Sequence, residues 1–228
     1  MFLAVPDGAV REMADRIARL EPPPELAIVH LSGALGLDAL AALEHSPRGS
    51  FHPLQSFPAP REPAAFRGST VAVDATTPAL LRRLRALARQ IGGKPRRVGD
   101  RERVRYHAAA VYASNFVDVV MAEAVRLLEE IGWTEKESLD ALLPLVEGAL
   151  SNIRKRGTVG ALTGPIRRGD VETIARHVQV VNRPDLYRML ALAALEIAKQ
   201  AGLDPAAAER TRRALTRDVA ATRRRGRQ

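Results

Sequence analysis

A change of periodicity near residue 100 constrains this chain more than any other feature. Before it, short apolar runs alternate with helical patterns; after it, strand patterns stop. Residues 2–6 form an apolar run suited to a strand buried on both faces, as parallel strands are. Asp7 and Gly8 turn the chain, and residues 9–20 carry Val10, Met13, Ile17 and Leu20 at helical spacing. The prolines at 22–24 stop that helix. Further strands are expected over 26–31, 49–51, 70–73 and 95–98, with a short helix at 37–43 and a longer one at 78–91. Ser32-Gly33 turns the chain after the second strand, and His52-Pro53 closes the third. Such alternation implies an α/β layer whose sheet is at least partly parallel.

Beyond Asp100 every pattern is helical. Residues 101–131 read as one long helix free of proline and glycine, and 135–155 as a second, kinked at Pro144. A glycine-rich connection over 157–169 leads to Asp170, suited to cap a helix reaching about residue 181. Helices over 186–201 and 205–222 complete the set. The organisation expected is an incomplete α/β domain at 1–99, a helical domain at 100–208 and a basic helix or tail at 209–228. The first strand is a one-sided edge with unpaired backbone groups, so an earlier part of the domain precedes it or a partner covers it.

Cysteine is absent, which excludes disulfides, thiolate nucleophiles and Cys-ligated metals. No stretch approaches the roughly 20 apolar residues that span a bilayer, and the opening residues are too short for a signal-peptide core. A cytoplasmic location with no membrane partner is expected. The net charge of +9 is uneven: residues 209–228 hold eight arginines against Glu209 and Asp218, a balance of +6, which leaves +3 for the rest. Arg223, Arg224, Arg225 and Arg227 at the end suit non-specific polyanion binding or a solvated terminus. One Trp, three Tyr and five Phe supply little for base stacking.

Polar segments fall at the carboxyl ends of the expected strands, where open α/β sheets bind ligands. They are Pro6-Asp7, His30-Leu31-Ser32-Gly33 and His52-Pro53-Leu54-Gln55. On the helix from 101, Arg103, His107, Ser114 and Asn115 are polar; the last three, seven and eight residues apart, share a face. Further polar groups are Ser151-Asn152 and the stretch from Thr163-Gly164 to Arg168-Gly169-Asp170. Each has a structural alternative. An isolated histidine more often stabilises than catalyses, Asn115 and Asn152 can bond helix backbone, and 163–170 can be a tight connection with a capping aspartate. The histidines lack metal-ligand spacing, and no phosphate loop or nucleophile elbow is present.

In order along the chain, FLAVPD (2–7), HLSGALG (30–36), HPLQSF (52–57), YHAAAVYASN (106–115), LLPLVEGALSN (142–152) and ALTGPIRRGD (161–170), with RH at 176–177, carry a resemblance. They resemble the Rossmann-like DUF2520 family, relatives of pyrroline-5-carboxylate reductase and of the 6-phosphogluconate dehydrogenase C-terminal-like superfamily. The resemblance implies a Rossmann-type sheet, here its second half, followed by an all-α domain that forms a homodimer. It implies NADP or NAD as cofactor and reduction or oxidation of a small carbonyl or imine. Val5, Pro6, His30, Ser32 and Gly33 then approach the nicotinamide ribose, and His107, His52 and Asn115 are the catalytic set. Asn152, Thr163, Gly164, Arg168 and Asp170 close over the substrate. FLAVPD resembles the fourth Rossmann strand, and the G-x-G-x-x-G turn that precedes it in the family occurs nowhere in this sequence. Those glycines and the following helix hold the pyrophosphate, so impaired cofactor binding is expected. The alternative is a non-catalytic dimerisation or ligand-binding module derived from such an enzyme.

Overall fold

The structure, a computed structural model, describes residues 1–57, 59 and 62–225, the side chains of 217–225 excepted. The chain divides into two compact units, Met1–Asp118 and Val119–Gln228.

The first unit is built on one five-stranded sheet: β1 (Phe2–Leu3), β2 (Ile28–His30), β3 (Arg48–Pro53), β4 (Thr70–Ala75) and β5 (Lys94–Arg97), in that order across the sheet. β1, β2 and β3 are parallel, β4 runs antiparallel to β3, and β5 is parallel to β4. The β1–β2 crossover is α1 (Val10–Ala18), which buries Val10, Ala14 and Ile17, one side of a helix. Leu3, Ile28, Leu40 and Leu43 close this layer. α2 (Pro78–Gln90) crosses from β4 to β5 on the other face, where Leu80, Leu84 and Ala88 pack on Val29, Phe51, Val71 and Val73. Thr77 caps α2 by accepting the Leu80 N–H at 3.2 Å, and Pro78 takes the first turn, where its missing N–H costs nothing. The split of neighbours Ile28 and Val29 between the two layers is the period-2 alternation of a strand.

Some expectations need correction. His52 and Pro53 do not close a strand; they extend it, because β4 pairs with them (His52 with Ala72, Pro53 with Val71). The short helix expected at 37–43 is present, as a 3₁₀ helix kinked at Leu40. Residues 101–131 form two helices, α3 (Asp100–Ala113) and α4 (Asn115–Glu129), interrupted at Ser114 (φ −131°, ψ −80°). Serine and asparagine side by side compete for backbone hydrogen bonds and weaken a helix there. The expectation about membrane length also fails: Asp100–Glu129 is, by length and composition only, long and apolar enough to cross a bilayer. Its charges sit mostly in the first two turns, and 108–121 carries Asp118 alone.

The second unit is helical. α5 (Glu135–Ala161) starts at a capping box in which Thr134 Oγ1 accepts the Glu137 N–H and the Glu137 carboxylate accepts the Thr134 N–H. Pro144 lies inside the helix and stands exposed, and the residue with non-helical dihedrals is Gly157 (φ 71°, ψ 174°). The supposed connection 157–169 is mostly helical, with positive-φ glycines at 157, 164 and 169 separating short pieces such as α6 (Gly164–Arg168). Asp170 caps α7 (Val171–Val180), its carboxylate accepting the Thr173 N–H at 3.1 Å. α8 (Pro184–Gln200) and α9 (Pro205–Arg225) enclose, with these, a core of Ile166, Ile174, Leu195, Ala198 and Leu215. The terminal arginines Arg223, Arg224, Arg225 and Arg227 lie outside the described side chains.

Candidate functional site

Strand register decides what stands beside what. Period 2 puts Ser50 and His52 on the same face of β3, opposite to Phe51. Pairing then aligns His30 with Ser50 and Ser50 with Asp74, a polar row across three strands. All three are buried, His30 and Ser50 completely. A buried polar row needs partners. α3 supplies one for Ser50 in Arg103, which shares a helix face with Tyr106 and His107 at i, i+3 and i+4, while Arg97 of β5 pairs with Asp74.

Arg103 is 1% exposed. Its Nη1 donates to the Ser32 carbonyl at 3.3 Å and its Nη2 to Ser50 Oγ. One turn later the Tyr106 hydroxyl and His52 Nδ1 are 2.9 Å apart, with the rings edge to face. The His107 ring is 6.4 Å from that of His52, centroid to centroid. Between them the chain turns at Gly33, where a Cβ would stand 2.8 Å from His52 and 2.9 Å from His107. Only glycine fits so near two rings. The N-terminus of α3 is tied down by Asp100, whose carboxylate accepts the Leu37 N–H at 2.9 Å.

A cleft of about 630 Å³ opens in front of these groups. His52, Gln55, Ser56, Tyr106, His107, Ser114 and Asn115 line it, with alanines of α3 as an apolar floor. Burial, then the charge of Arg103, then His107, lowers His52 to a pKa of about 4; Asp7 opposes this. His30 falls to about 4 as well, through burial first and Arg103 second. Neither ring nitrogen of His30 has a hydrogen bond of good geometry; a weak approach to the Gly36 backbone and the carboxylates of Asp7 and Asp100 offset the shift only in part. Burial raises Tyr106 above its ordinary value and Arg103 opposes it. At neutral pH His52 is therefore uncharged and Tyr106 protonated. The chemistry on offer is hydrogen bonding and proton exchange, not nucleophilic attack.

The histidine shifts carry a prediction. Unfolded, both rings titrate near 6.5; folded, near 4. Between these values the unfolded chain binds more protons, so stability is whole above about pH 6.5 and falls on acidification toward pH 4. For wholly buried His30 the loss is on the order of 3 kcal/mol. Urea midpoints measured across this window should fall with pH; a flat profile contradicts neutral buried histidines.

Among residues anticipated from sequence, His52, His107 and Asn115 all line the cleft. Ser32 and Gly33 do not line it; Gly33 stands close to His52 and His107, and Ser32 Oγ accepts the Ala34 and Leu35 N–H groups, which removes two of the turn's donors. His30 is too deeply buried to touch anything in the cleft. Val5 is half-buried and Pro6 exposed after β1. Asn152, Thr163, Gly164, Arg168 and Asp170 belong to the second unit, whereas the first unit alone lines this cleft. Asp170 is engaged as a cap, and Thr163 precedes α6 without a side-chain cap bond. Sequence reasoning passed over Ser50, Asp74 and Tyr106 and left Arg103 without a role. The available signal was Asp74 within the otherwise apolar run from Val71 to Ala75 and the alternation of Ser50 and His52 about Phe51.

Residues 69–194 match the family defined by a domain of unknown function, DUF2520, over more than half of the chain. The chain belongs to the DUF2520 family. No curated protein matches it. Among solved structures, a Bacteroides fragilis protein assigned as an NADP oxidoreductase is similar at 24% identity and a TM-score of 0.75, over 86% of this chain and 74% of that one. A Thermotoga maritima protein is similar at 27% identity and a TM-score of 0.70, over 87% and 78%. Pyrroline carboxylate reductase from Plasmodium falciparum, solved with NADP bound, is similar at 10% identity and a TM-score of 0.56, over 93% and 78%. The DUF2520 chain thus has the fold anticipated: a Rossmann-like sheet followed by a helical domain.

Proposed function

We propose that the protein is an NAD(P)-dependent oxidoreductase acting on a small carbonyl or imine compound in the cleft before His52. The observation that supports it is convergence: His52, Tyr106, His107 and Asn115, drawn from a strand and a helix, meet in one cleft of a fold shared with NADP-binding proteins. His52 and Tyr106 hold a proton between them at 2.9 Å. Asn115 and Ser114 supply polar groups to orient a substrate, and the alanine floor of α3 limits water around it. Asn152, Thr163, Gly164, Arg168 and Asp170, all in the second unit, are proposed by resemblance alone to bind substrate.

The described residues do not fit the pyrophosphate of such a cofactor. The passage from β1 into α1 runs Ala4-Val5-Pro6-Asp7-Gly8-Ala9 through a 3₁₀ turn, and with one glycine and a proline it offers a pyrophosphate few open amides. The turn at Ser32 has spent two of its own. Weak cofactor binding by this chain is the consequence. The same observation favours the second reading, a non-catalytic ligand-binding or dimerisation module. Titration with NADPH followed by fluorescence separates them: saturable binding with turnover of an aldehyde or imine panel supports the enzyme, and no binding at about 1 mM removes it for this chain.

A homodimer through the helical unit is part of this reading. α5 is 27 residues long, yet Ser138 is its one buried residue, and Leu143, Leu145, Leu150 and Ile153 stand exposed. Exposed apolar faces of this extent mark protein interfaces. Light scattering should return a dimer, and Leu145→Glu should shift it to monomer or aggregate; an unchanged mass for both, at one chain, excludes the interface.

A further inference from the structure

The charge outside the basic tail is itself uneven. Residues 67–105 hold eleven lysines and arginines against Asp74, Asp100 and Glu102, a balance of +8, while 1–66 and 106–208 are each net negative. Arg103 is buried against Ser32 and Ser50, and Arg97 pairs with Asp74. Among the described residues no ion pair or side-chain hydrogen bond engages the other nine, and all but half-buried Arg85 are exposed. Elsewhere carboxylates take up surface cations, as Asp38 does Arg11, Asp140 Lys136 and Glu209 Arg213. Unpaired cations repel one another, so holding several side by side costs stability unless an anion joins them.

The first unit gathers most of these cations at one edge of its sheet. On α2, Arg82, Arg85 and Arg89 recur at i, i+3 and i+7, outside the stripe of Leu80, Leu84 and Ala88. Arg83 stands on the other flank, beside Phe2 at the β1 edge, which leaves these three on the flank toward β5. Arg67 lies against the turn that joins α2 to β5: a Cβ at Gly92 would be 3.0 Å from its Cγ. Lys94 and Arg96 follow on β5 itself. This edge is closed to a further strand. The Lys94 and Val98 N–H groups donate to the Ser69 and Val73 carbonyls at 2.8 and 3.2 Å, so alternation turns positions 95 and 97 outward, and Pro95 has no N–H. What the edge offers a partner is therefore charge.

We propose that the β5 edge and the adjoining flank of α2 bind the phosphate backbone of a nucleic-acid duplex without reading its sequence. Five of the six cations there are arginines, whose planar forks grip phosphate oxygens two at a time. A duplex presents one charge per about 1.7 Å of axis, against about 3.3 Å per residue for an extended acidic peptide. Only the denser charge carries a large atmosphere of counterions, whose release drives association. Lipid fits less well. Among the described residues none of the exposed large apolar side chains falls between 58 and 103, so nothing here inserts among acyl chains. Residues 67–105 also hold no aromatic side chain, which excludes base stacking and leaves the backbone as the ligand. The surface shares no lining residue with the cleft, so the inference is independent of the oxidoreductase reading.

The test is fluorescence anisotropy of the full chain on a labelled DNA duplex of about 20 base pairs, repeated on an RNA duplex of the same sequence. Dissociation constants of about 1–100 µM are expected at physiological salt. About five phosphate contacts give a log–log salt slope near −4.5, a loss of affinity of roughly 500-fold between 50 and 200 mM salt. Combining Arg85→Gln, Arg89→Gln and Arg96→Gln should flatten the slope by about 2.7, at about 0.9 per lost contact, with circular dichroism unchanged. The control combines Arg223→Gln, Arg224→Gln and Arg225→Gln, and its slope should stay within about 1 of the wild type. Polyglutamate of equal charge should bind at least about tenfold more weakly than either duplex. Phosphatidylcholine vesicles with about 30% phosphatidylserine should not sediment the protein at about 150 mM salt. Binding of neither duplex at about 100 µM protein in 50 mM salt overturns the proposal. So does a slope unchanged in the first triple variant or lost in the control, and so does a preference for polyglutamate or vesicles over duplex.

Discussion

Arg103→Ala is expected to cost about 3–5 kcal/mol, the range for removing one partner of a buried charged network. The guanidinium is 1% exposed and ties three elements together: α3, the Ser32 carbonyl after β2, and Ser50 on β3. Truncation opens a cavity and strands both acceptors in an apolar interior. Asp74 keeps Arg97, at 2.9 Å, so its carboxylate is not orphaned. A second consequence runs the opposite way. Arg103 is the second-largest cause lowering His30 and His52, after burial. Without it both should titrate closer to 6.5, though burial holds them below it. The variant should therefore be less stable at neutral pH yet lose less on acidification. Urea denaturation at several pH values, with imidazole resonances followed by NMR, reads both effects. A loss under about 1 kcal/mol with unmoved resonances would show that Arg103 is a bystander.

Gly33→Ala should disturb the site more than its single methyl group implies. The added Cβ falls 2.8 Å from His52 Cε1 and Nε2 and 2.9 Å from His107 Cδ2, nearer than carbon tolerates. Neither ring retreats freely: His52 is held by Tyr106 and backed by the sheet, and His107 is fixed to α3. Overpacking of this kind costs about 1–3 kcal/mol. The more informative result is geometric. One ring must rotate, so the His52–Tyr106 contact should break and the His52 resonances shift while the sheet persists by circular dichroism. Gly148→Ala is the control, since nothing lies within 4 Å of a Cβ there and the position is helical. It should stabilise the chain by about 0.5–1 kcal/mol. Wild-type-like stability and resonances in Gly33→Ala would mean that the turn yields easily and that the close approach imposes nothing.

The residues that matter most differ in how visible they were beforehand. His52, His107 and Asn115 stood out because polar residues at the end of a strand or along an apolar helix are exceptions to a local pattern, and the cleft unites them. Tyr106 did not, since an aromatic on a helix reads as ordinary packing. Ser50 and Asp74 were hidden for another reason. A serine or aspartate within a short strand has no meaning until the neighbouring strand is known, and the row His30–Ser50–Asp74 exists only through pairing. Direction was equally opaque. Nothing local tells β4 to run antiparallel to β3, and that choice also carries β3 on through His52 and Pro53. The interruption at Ser114 lies in a segment whose sequence continues the helical pattern.

By itself the amino-acid sequence determined the two kinds of architecture, the change between them near residue 100, and the family. These depend on periodicity and short-range propensity, which are written along the chain. Tertiary structure alone decided the strand register, the reversal at β4, the burial of Arg103 and the 2.9 Å contact between His52 and Tyr106. The last two join residues more than 50 positions apart, and sequence spacing holds no record of which of them will meet; only the packing of α3 on the sheet makes them neighbours.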